Sequence, residues 1–302
     1  MMKQDRRLNY FEMKRKILYL QQLLKRNAEP QEYLPILKLM VNNVRCLMAV
    51  PIINDYYYRG RVSKSGRLFN NLSEITYPRK EIVKVKGRLN DVGETILYAS
   101  NSELGTLVEM DLERYSFFTI ATIKLIDRGI YFVPLGITGK DYSPVPQTKA
   151  EELLINYFNT EITKIISNHI EYNPTIALAH LFLNDPVINC KMGKMAGIIY
   201  PSSKSKNMSN KVTYNIAIQP EIFDSCYIFG EIYVYCMTHE KNHPQIKESF
   251  WQMTGVNKVV SISTDGTLNW LYNFEEMKDR ISKGLIVEGG TCDNLKGMEK
   301  YL

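Results

Sequence analysis

The stretch GRLNDVGETILYASNSELGTLVE, Gly87 to Glu109, decides the fold class. Residues 95–99 form a short run of β-forming side chains, and Tyr98 closes it as the end of a strand. Ser100-Asn101-Ser102-Glu103 follows with the form of a capping box, in which a hydroxyl and a carboxylate three residues apart satisfy each other's backbone N–H groups. Leu104, Leu107 and Val108 then give the apolar side of a short helix that carries Glu109. A strand therefore turns directly into a helix, and a strand-end tyrosine precedes a helical glutamate by eleven residues.

Outward from this unit, strand-like runs are predicted at 56–62, 116–125, 129–133, 196–200, 212–219, 227–236 and 257–263, with a longer helix over 148–170. Strands and helices mix without a regular βαβ alternation, which predicts an α+β domain and not a doubly wound parallel sheet. Near the start, Tyr10, Met13, Ile17, Leu20 and Leu24 recur at helical spacing and predict a helix over 6–27. Pro35 is expected near the start of a second helix, where its missing N–H does no harm; Ile36, Met40, Val44 and Leu47 continue a face to about Cys46. Residues 1–48 thus read as a helical hairpin that docks on a main domain spanning 51–302 or dimerises.

Composition narrows the class. The chain has 302 residues, 45% hydrophobic and 23% charged, with no biased tract, as expected of a folded globular protein. Its 20 tyrosines are the one excess; they suit a pocket for a planar ligand, and equally ordinary strand packing. No secretory leader pattern and no run of roughly 18 apolar residues is seen, so no membrane contact is expected. Cys46, Cys190, Cys226, Cys236 and Cys292 are odd in number and scattered, which predicts neither a disulfide framework nor a zinc cluster and fits a cytoplasmic setting. Of the net charge of +6, residues 1–30 carry most, with eight basic residues against three acidic ones. Such a helix can hold nucleic acid, an acidic partner or a membrane surface, but a solvated face is the commoner use, so nucleic acid is not the expected partner.

Two familiar patterns are set aside. His239-Glu240-Lys241-Asn242-His243 matches the HExxH zinc motif, which needs a helix to bring both imidazoles to one face. Here it follows the strand-like Ile232-Tyr233-Val234-Tyr235 and runs into Pro244, so a loop and no metal are expected. There is no GxGxxG fingerprint, and Gly136-Ile137-Thr138-Gly139-Lys140 lacks the P-loop spacing. His169 and His180 stand in no nucleophile triad and read as structural.

Three separated segments resemble the RES-domain family, named for an Arg, a Glu and a Ser. They are Tyr58-Arg59-Gly60-Arg61; Gly87-Arg88-Leu89-Asn90-Asp91-Val92-Gly93 leading through Leu97-Tyr98-Ala99-Ser100 to Glu109; and Gly197-Ile198-Ile199-Tyr200-Pro201-Ser202-Ser203 with Asn215-Ile216-Ala217 after it. The resemblance spans roughly residues 55–235. Leu89 stands where the family commonly has an aromatic residue, and Lys204 where an arginine often follows the serine.

The resemblance implies a fold similar to the ADP-ribosyltransferase toxins, a split β-sheet core with NAD⁺ lying across it, and thus a catalytic domain over 51–302. It implies cleavage of the nicotinamide–ribose bond with phosphate or water as acceptor, in a toxin or defence effector. The alternatives are ADP-ribosyl transfer to a protein or nucleic acid, and a non-enzymatic binding module. NAD⁺ would be substrate, not cofactor; an antitoxin or inhibitor protein and a homo-oligomer are the expected partners.

On this basis Glu109 would offset the positive charge that develops on the ribose, Arg59 and Arg88 would hold the pyrophosphate with Arg61 in reserve, and Tyr98 would stack on nicotinamide or bond its ribose. Ser202, or Ser203 beside it, would fix the pose of the nicotinamide end. Tyr200 is expected to bind the ligand, and Asn90 and Asn215 to shape loops around the cleft.

Overall fold

The structure is a computed structural model that describes residues 7–42, 50–51, 56–63, 67–110, 117–127, 129–137, 146–185, 195–202, 213–240, 250–285 and 292–295. Helices α1 (Tyr10–Lys25) and α2 (Pro30–Asn42) come first, then β1 (Val50–Pro51), β2 (Tyr56–Val62), β3 (Leu97–Ser100), α3 (Glu103–Glu109), β4 (Phe117–Leu125) and β5 (Tyr131–Pro134). Next are α4 (Lys149–Thr163), α5 (Asn173–Ala179), β6 (Met195–Pro201), β7 (Tyr214–Ile218) and α6 (Pro220–Cys226). The chain continues through β8 (Tyr227–Glu240), β9 (Phe250–Ile262), β10 (Leu268–Trp270), α7 (Phe274–Ser282) and β11 (Cys292–Leu295). This is the expected α+β class.

The strands form one open sheet in the order β1-β5-β6-β7-β3-β2-β4-β8-β9-β10, with β11 also on β9; every pairing is antiparallel except β5 with β6. One junction is weak. Strand β2 pairs with β4 over seven positions, Tyr56 to Val62, but with β3 only at Tyr58 opposite Ser100. Two half-sheets therefore meet at a single residue pair, and the strands diverge on either side of it.

Strand β6 is buried along its whole length because both sheet faces are covered. With side chains alternating from face to face over Ile198 to Tyr200, Ile198 and Tyr200 join a core with the helices, while Ile199 joins Phe132, Ile216, Ile218 and Phe223 on the other side. The hairpin belongs to the first core. Met13, Ile17, Leu20 and Leu23 of α1 and Tyr33, Leu37 and Met40 of α2 pack with Leu154, Phe158 and Ile162 of α4 and Leu178 of α5. Polar ties reinforce the docking: Asn173 Nδ2 donates to Ala28 O at 2.8 Å, and Lys86 bridges Glu29 at 2.7 Å and Asn173 Oδ1 at 2.9 Å.

Several local expectations shift for identifiable reasons. Helix α1 begins later than residue 6 because Asn9 and Glu12 form a capping box, and it ends where Asn27 takes a left-handed φ of 58°. Its buried stripe runs to Leu23, with Leu24 half-buried and Tyr10 38% exposed. Helix α2 starts at Pro30, so Pro35 falls inside it and removes one i→i−4 bond. In the deciding stretch the cap is Ser102, whose hydroxyl accepts from Gly105 N at 3.0 Å, and not Ser100, which stays in β3. Helix α4 ends at Thr163 because Lys164 is extended; a separate turn, His169–Tyr172, then leads into α5. His239 and Glu240 lie in strand β8, where no HExxH helix exists; Lys241 to His243 lie outside the described residues, as do Val44, Cys46 and Leu47.

Candidate functional site

The divergence of β2 from β3 leaves backbone groups that a regular ladder would pair, and side chains take them up. Thr106 on α3 donates its hydroxyl to Tyr58 O at 3.1 Å, and Arg59 Nη1 donates to Tyr98 O at 2.9 Å. Arg59 also reaches Ile75 O through Nε at 3.3 Å. Helix α3 comes this close because residue 60 is glycine: a Cβ there would stand 2.5 Å from Met110 Sδ and 2.6 Å from Thr106 Cγ2.

A cleft of about 370 Å³ opens at this seam, within the ordinary range for ligand sites. Arg59, Arg88, Tyr98, Glu109, Tyr200 and Asn215 all line it, although β2, the 87–91 loop, β3, α3, β6 and β7 supply them separately. Tyr58, Thr106, Met110 and Tyr172 complete the wall. Four tyrosines thus face one cavity, which is where part of the tyrosine excess is spent.

Glu109 ends α3 and is exposed to the cleft. Its Oε1 accepts from Ser202 Oγ at 2.6 Å and from Asn215 Nδ2 at 2.8 Å. Both donors are buried, Ser202 at 1% and Asn215 at 6% exposure, so the carboxylate is fixed from behind while its Oε2 has no partner among the described residues. Ser202 itself does not line the cleft, and its hydroxyl donates to Glu109. Ser203 and Lys204 lie outside the described residues.

Arg59 is held between neutral carbonyl oxygens. Burial and then the neighbouring Arg61 guanidinium pull its pKa down to about 9, which leaves it charged at neutral pH. Arg61, two positions along the strand, donates to Thr76 O at 3.1 Å and stands beside the cleft without lining it. Arg88 Nη1 donates to Ile162 O at 2.6 Å and Lys164 O at 3.2 Å, carbonyls at the C-terminal end of α4, where a cation is favoured. Its guanidinium lies 5.4 Å from the centre of the Tyr172 ring.

The Tyr98 hydroxyl is committed: it donates to Asn90 Oδ1 at 2.8 Å and accepts from Leu89 N at 2.9 Å. Tyr98 lines the cleft with its hydroxyl held in these two bonds. Burial raises its pKa well above the ordinary phenol range. Asn90 does not line the cleft; it accepts from the Tyr98 hydroxyl and donates to Asp91 O and Glu94 O at 3.2 Å each, so it shapes the loop. Tyr200 is 5% exposed, and burial pushes its pKa up, with Tyr98 and Glu109 adding to the effect.

Tyr172 and Thr106 were not legible as site residues. Tyr172 enters through the His169–Tyr172 turn, and its only local signal is the Asn168 cap that sets that turn. His169 and His180 stand outside the cleft: His169 Nδ1 is 3.0 Å from Lys86 O, and His180 Nε2 pairs with Glu94 at 2.8 Å. Among the described residues no three His, Cys, Asp or Glu side chains gather as a metal-ion set, and no helix is long and apolar enough to cross a membrane. Comparison with protein-family models, with curated proteins and with solved structures finds no match for this chain.

Proposed function

We propose that the chain binds NAD⁺ in this cleft and breaks its nicotinamide–ribose bond, with phosphate or water as acceptor. The observation that carries the proposal is the Glu109 carboxylate, clamped on one oxygen by Ser202 and Asn215 and presented to a cavity that also holds Arg59 and four tyrosine rings. The seam between two half-sheets agrees with the split-sheet, ADP-ribosyltransferase-like architecture that the RES resemblance implies.

In the reaction the C1′–N bond breaks with its electron pair going to the pyridinium nitrogen, so nicotinamide leaves neutral and positive charge spreads over the ribose. Glu109, anionic and preoriented, stabilises that charge more than it stabilises the ground state, which is the requirement for catalysis. Its free oxygen is placed to accept the proton that attacking water sheds; a phosphate oxyanion needs no such base. Arg59 contributes planar, charge-assisted bonds to the diphosphate, and the rings of Tyr98 and Tyr172 offer flat surfaces to the bases. Ser202 and Asn215 act through Glu109 as positioning residues.

The test is incubation of purified full chain with NAD⁺, with and without phosphate, followed by separation of products. Release of nicotinamide together with ADP-ribose or its phosphate ester is expected. Intact NAD⁺ under both conditions overturns the proposal, and labelled protein or nucleic acid from labelled NAD⁺ in lysate would replace it with transfer to a macromolecule.

A further inference from the structure

Helix α5 holds the loop that supplies Arg88 to the cleft, and it does so at two points. Thr175 donates its hydroxyl to Arg88 O. His180, where α5 runs into a π-helical turn (His180–Asn184), reaches Glu94 through Nε2, 2.8 Å from Oε1 and 2.9 Å from Oε2. A carboxylate only accepts, so the imidazole N–H is the donor. Widened turns of this kind recur at functional positions in helices. Glu94 passes the contact on: its Oε2 accepts from Asp91 N at 2.8 Å, and its backbone O accepts from Asn90 Nδ2 at 3.2 Å. Asn90 Oδ1 in turn accepts from the Tyr98 hydroxyl at 2.8 Å, and that hydroxyl accepts from Leu89 N at 2.9 Å. A continuous chain of bonds thus runs from His180, outside the cleft, to Tyr98, which lines it beside Arg88.

Residues 83–96 form neither helix nor strand, so no ladder fixes where Arg88 stands, and side-chain bonds must do it. Gly93, with a left-handed φ of 76°, closes the turn that brings the Glu94 carboxylate back to Asp91 N. Burial opposes the charge on Glu94, yet the bonds from His180 and Asp91 N hold its pKa below the ordinary carboxylate range, so the bridging group is an anion. We infer that His180 is a positioning residue for NAD⁺ binding: through Glu94 it fixes the loop that presents Arg88 and steadies the ring of Tyr98. The inference rests on the cleft being the NAD⁺ site proposed above, and it gives a role to a histidine that lies outside that cleft. Arg88 and Tyr98 would meet the dinucleotide before and during bond cleavage alike, so loosening them removes uniform binding, which raises KM and leaves kcat nearly unchanged. A disturbance that travelled through Glu109 would fall on kcat instead.

The test measures KM and kcat for NAD⁺ cleavage by the full chain and, without NAD⁺, hydrogen exchange at the amides of Leu89 and Asp91. His180→Leu should raise KM by roughly fivefold, change kcat by less than about twofold, and speed exchange at both amides. His180→Gln, whose side-chain amide still donates to a carboxylate, should recover part of the KM loss. In a Glu94→Ala background, His180→Leu should change KM no further, because its effect passes through Glu94. Should His180→Leu fail to fold, Glu94→Gln, which keeps the volume and removes the charge, should shift KM in the same direction. Wild-type KM in His180→Leu, a loss confined to kcat, or an undiminished effect of His180→Leu in the Glu94→Ala background overturns the role. If the wild type leaves NAD⁺ intact, the proposed activity falls and exchange alone decides the loop: faster exchange at Leu89 and Asp91 in His180→Leu keeps His180 as its anchor, and unchanged exchange removes it.

Discussion

Replacing Ser202 by alanine removes the short bond from its hydroxyl to Glu109, and the side chain is 1% exposed and outside the cleft. A hydrogen bond to a charged group contributes about 1.5–3 kcal/mol. Two features place the effect at the low end: Glu109 is exposed, and Asn215 still holds the same oxygen at 2.8 Å. A loss of about 1.4 kcal/mol in transition-state stabilisation is a tenfold fall in kcat. KM should hardly move, since Ser202 does not meet the ligand. Removing the carboxylate altogether, Glu109→Ala, should cost about 10²–10³-fold, the scale of one preorganised electrostatic group. Nicotinamide release, followed by chromatography, would be measured for both single variants and the double variant. If Ser202 acts only through Glu109, Ser202→Ala has no further effect in the Glu109→Ala background. An equal tenfold loss in both backgrounds would refute the positioning role and return Ser202 to direct ligand contact.

Other perturbations probe the frame of the site. Gly60→Ala should destabilise by about 1–3 kcal/mol in urea titration, because Met110 Sδ can move aside but the branched Thr106, 2.6 Å from the new Cβ, cannot readily do so. Tyr98→Phe leaves Leu89 N and Asn90 Oδ1 without the hydroxyl that joins them and should cost about 1–3 kcal/mol, with proteolysis near residues 87–91 speeding up; unchanged stability would mean the loop is held otherwise. Burial raises the pKa of Glu161, so between the ordinary carboxylate value and the raised one the folded chain binds more protons than the unfolded chain. Stability should therefore fall as pH rises through that window, and Glu161→Gln should flatten that part of the Tm profile; a wild-type profile that instead rises more steeply there than the variant's would contradict the sign.

Periodic and capping patterns made much of the fold legible. Met13, Ile17 and Leu20 show the buried stripe of α1, and the β6 and β7 segments show their strands by composition alone. The site was legible to the extent that polar residues lay in ordered segments: Arg59, Arg88, Tyr98, Glu109, Tyr200 and Asn215 share one cavity. What failed was direction. No spacing tells that the Tyr98 hydroxyl is used by the 87–91 loop, that Ser202 faces Glu109, or that Arg61 turns to Thr76 O, because each depends on how an irregular or separate segment folds back onto the strand or helix. The cap fell on Ser102 and not Ser100 because two hydroxyl residues, two apart, both precede acidic or apolar helix formers, and pairing of Ser100 with Tyr58 and Asn215 kept it in the strand.

The lone Tyr58–Ser100 pair also bears on mechanics. Where most of this sheet is stitched by rows of amides, here one rung and a few side chains resist shear, so anything that reaches from Arg59 on one leaf to Tyr200 and Asn215 on the other becomes the missing stitching. Occupancy and rigidity are then coupled by mass action: each tenfold rise in a bound molecule's concentration above its dissociation constant adds about 1.4 kcal/mol to the resistance of the folded chain. Amide protons flanking the seam should exchange more slowly in the occupied protein, and so should core amides that exchange only when the whole chain unfolds.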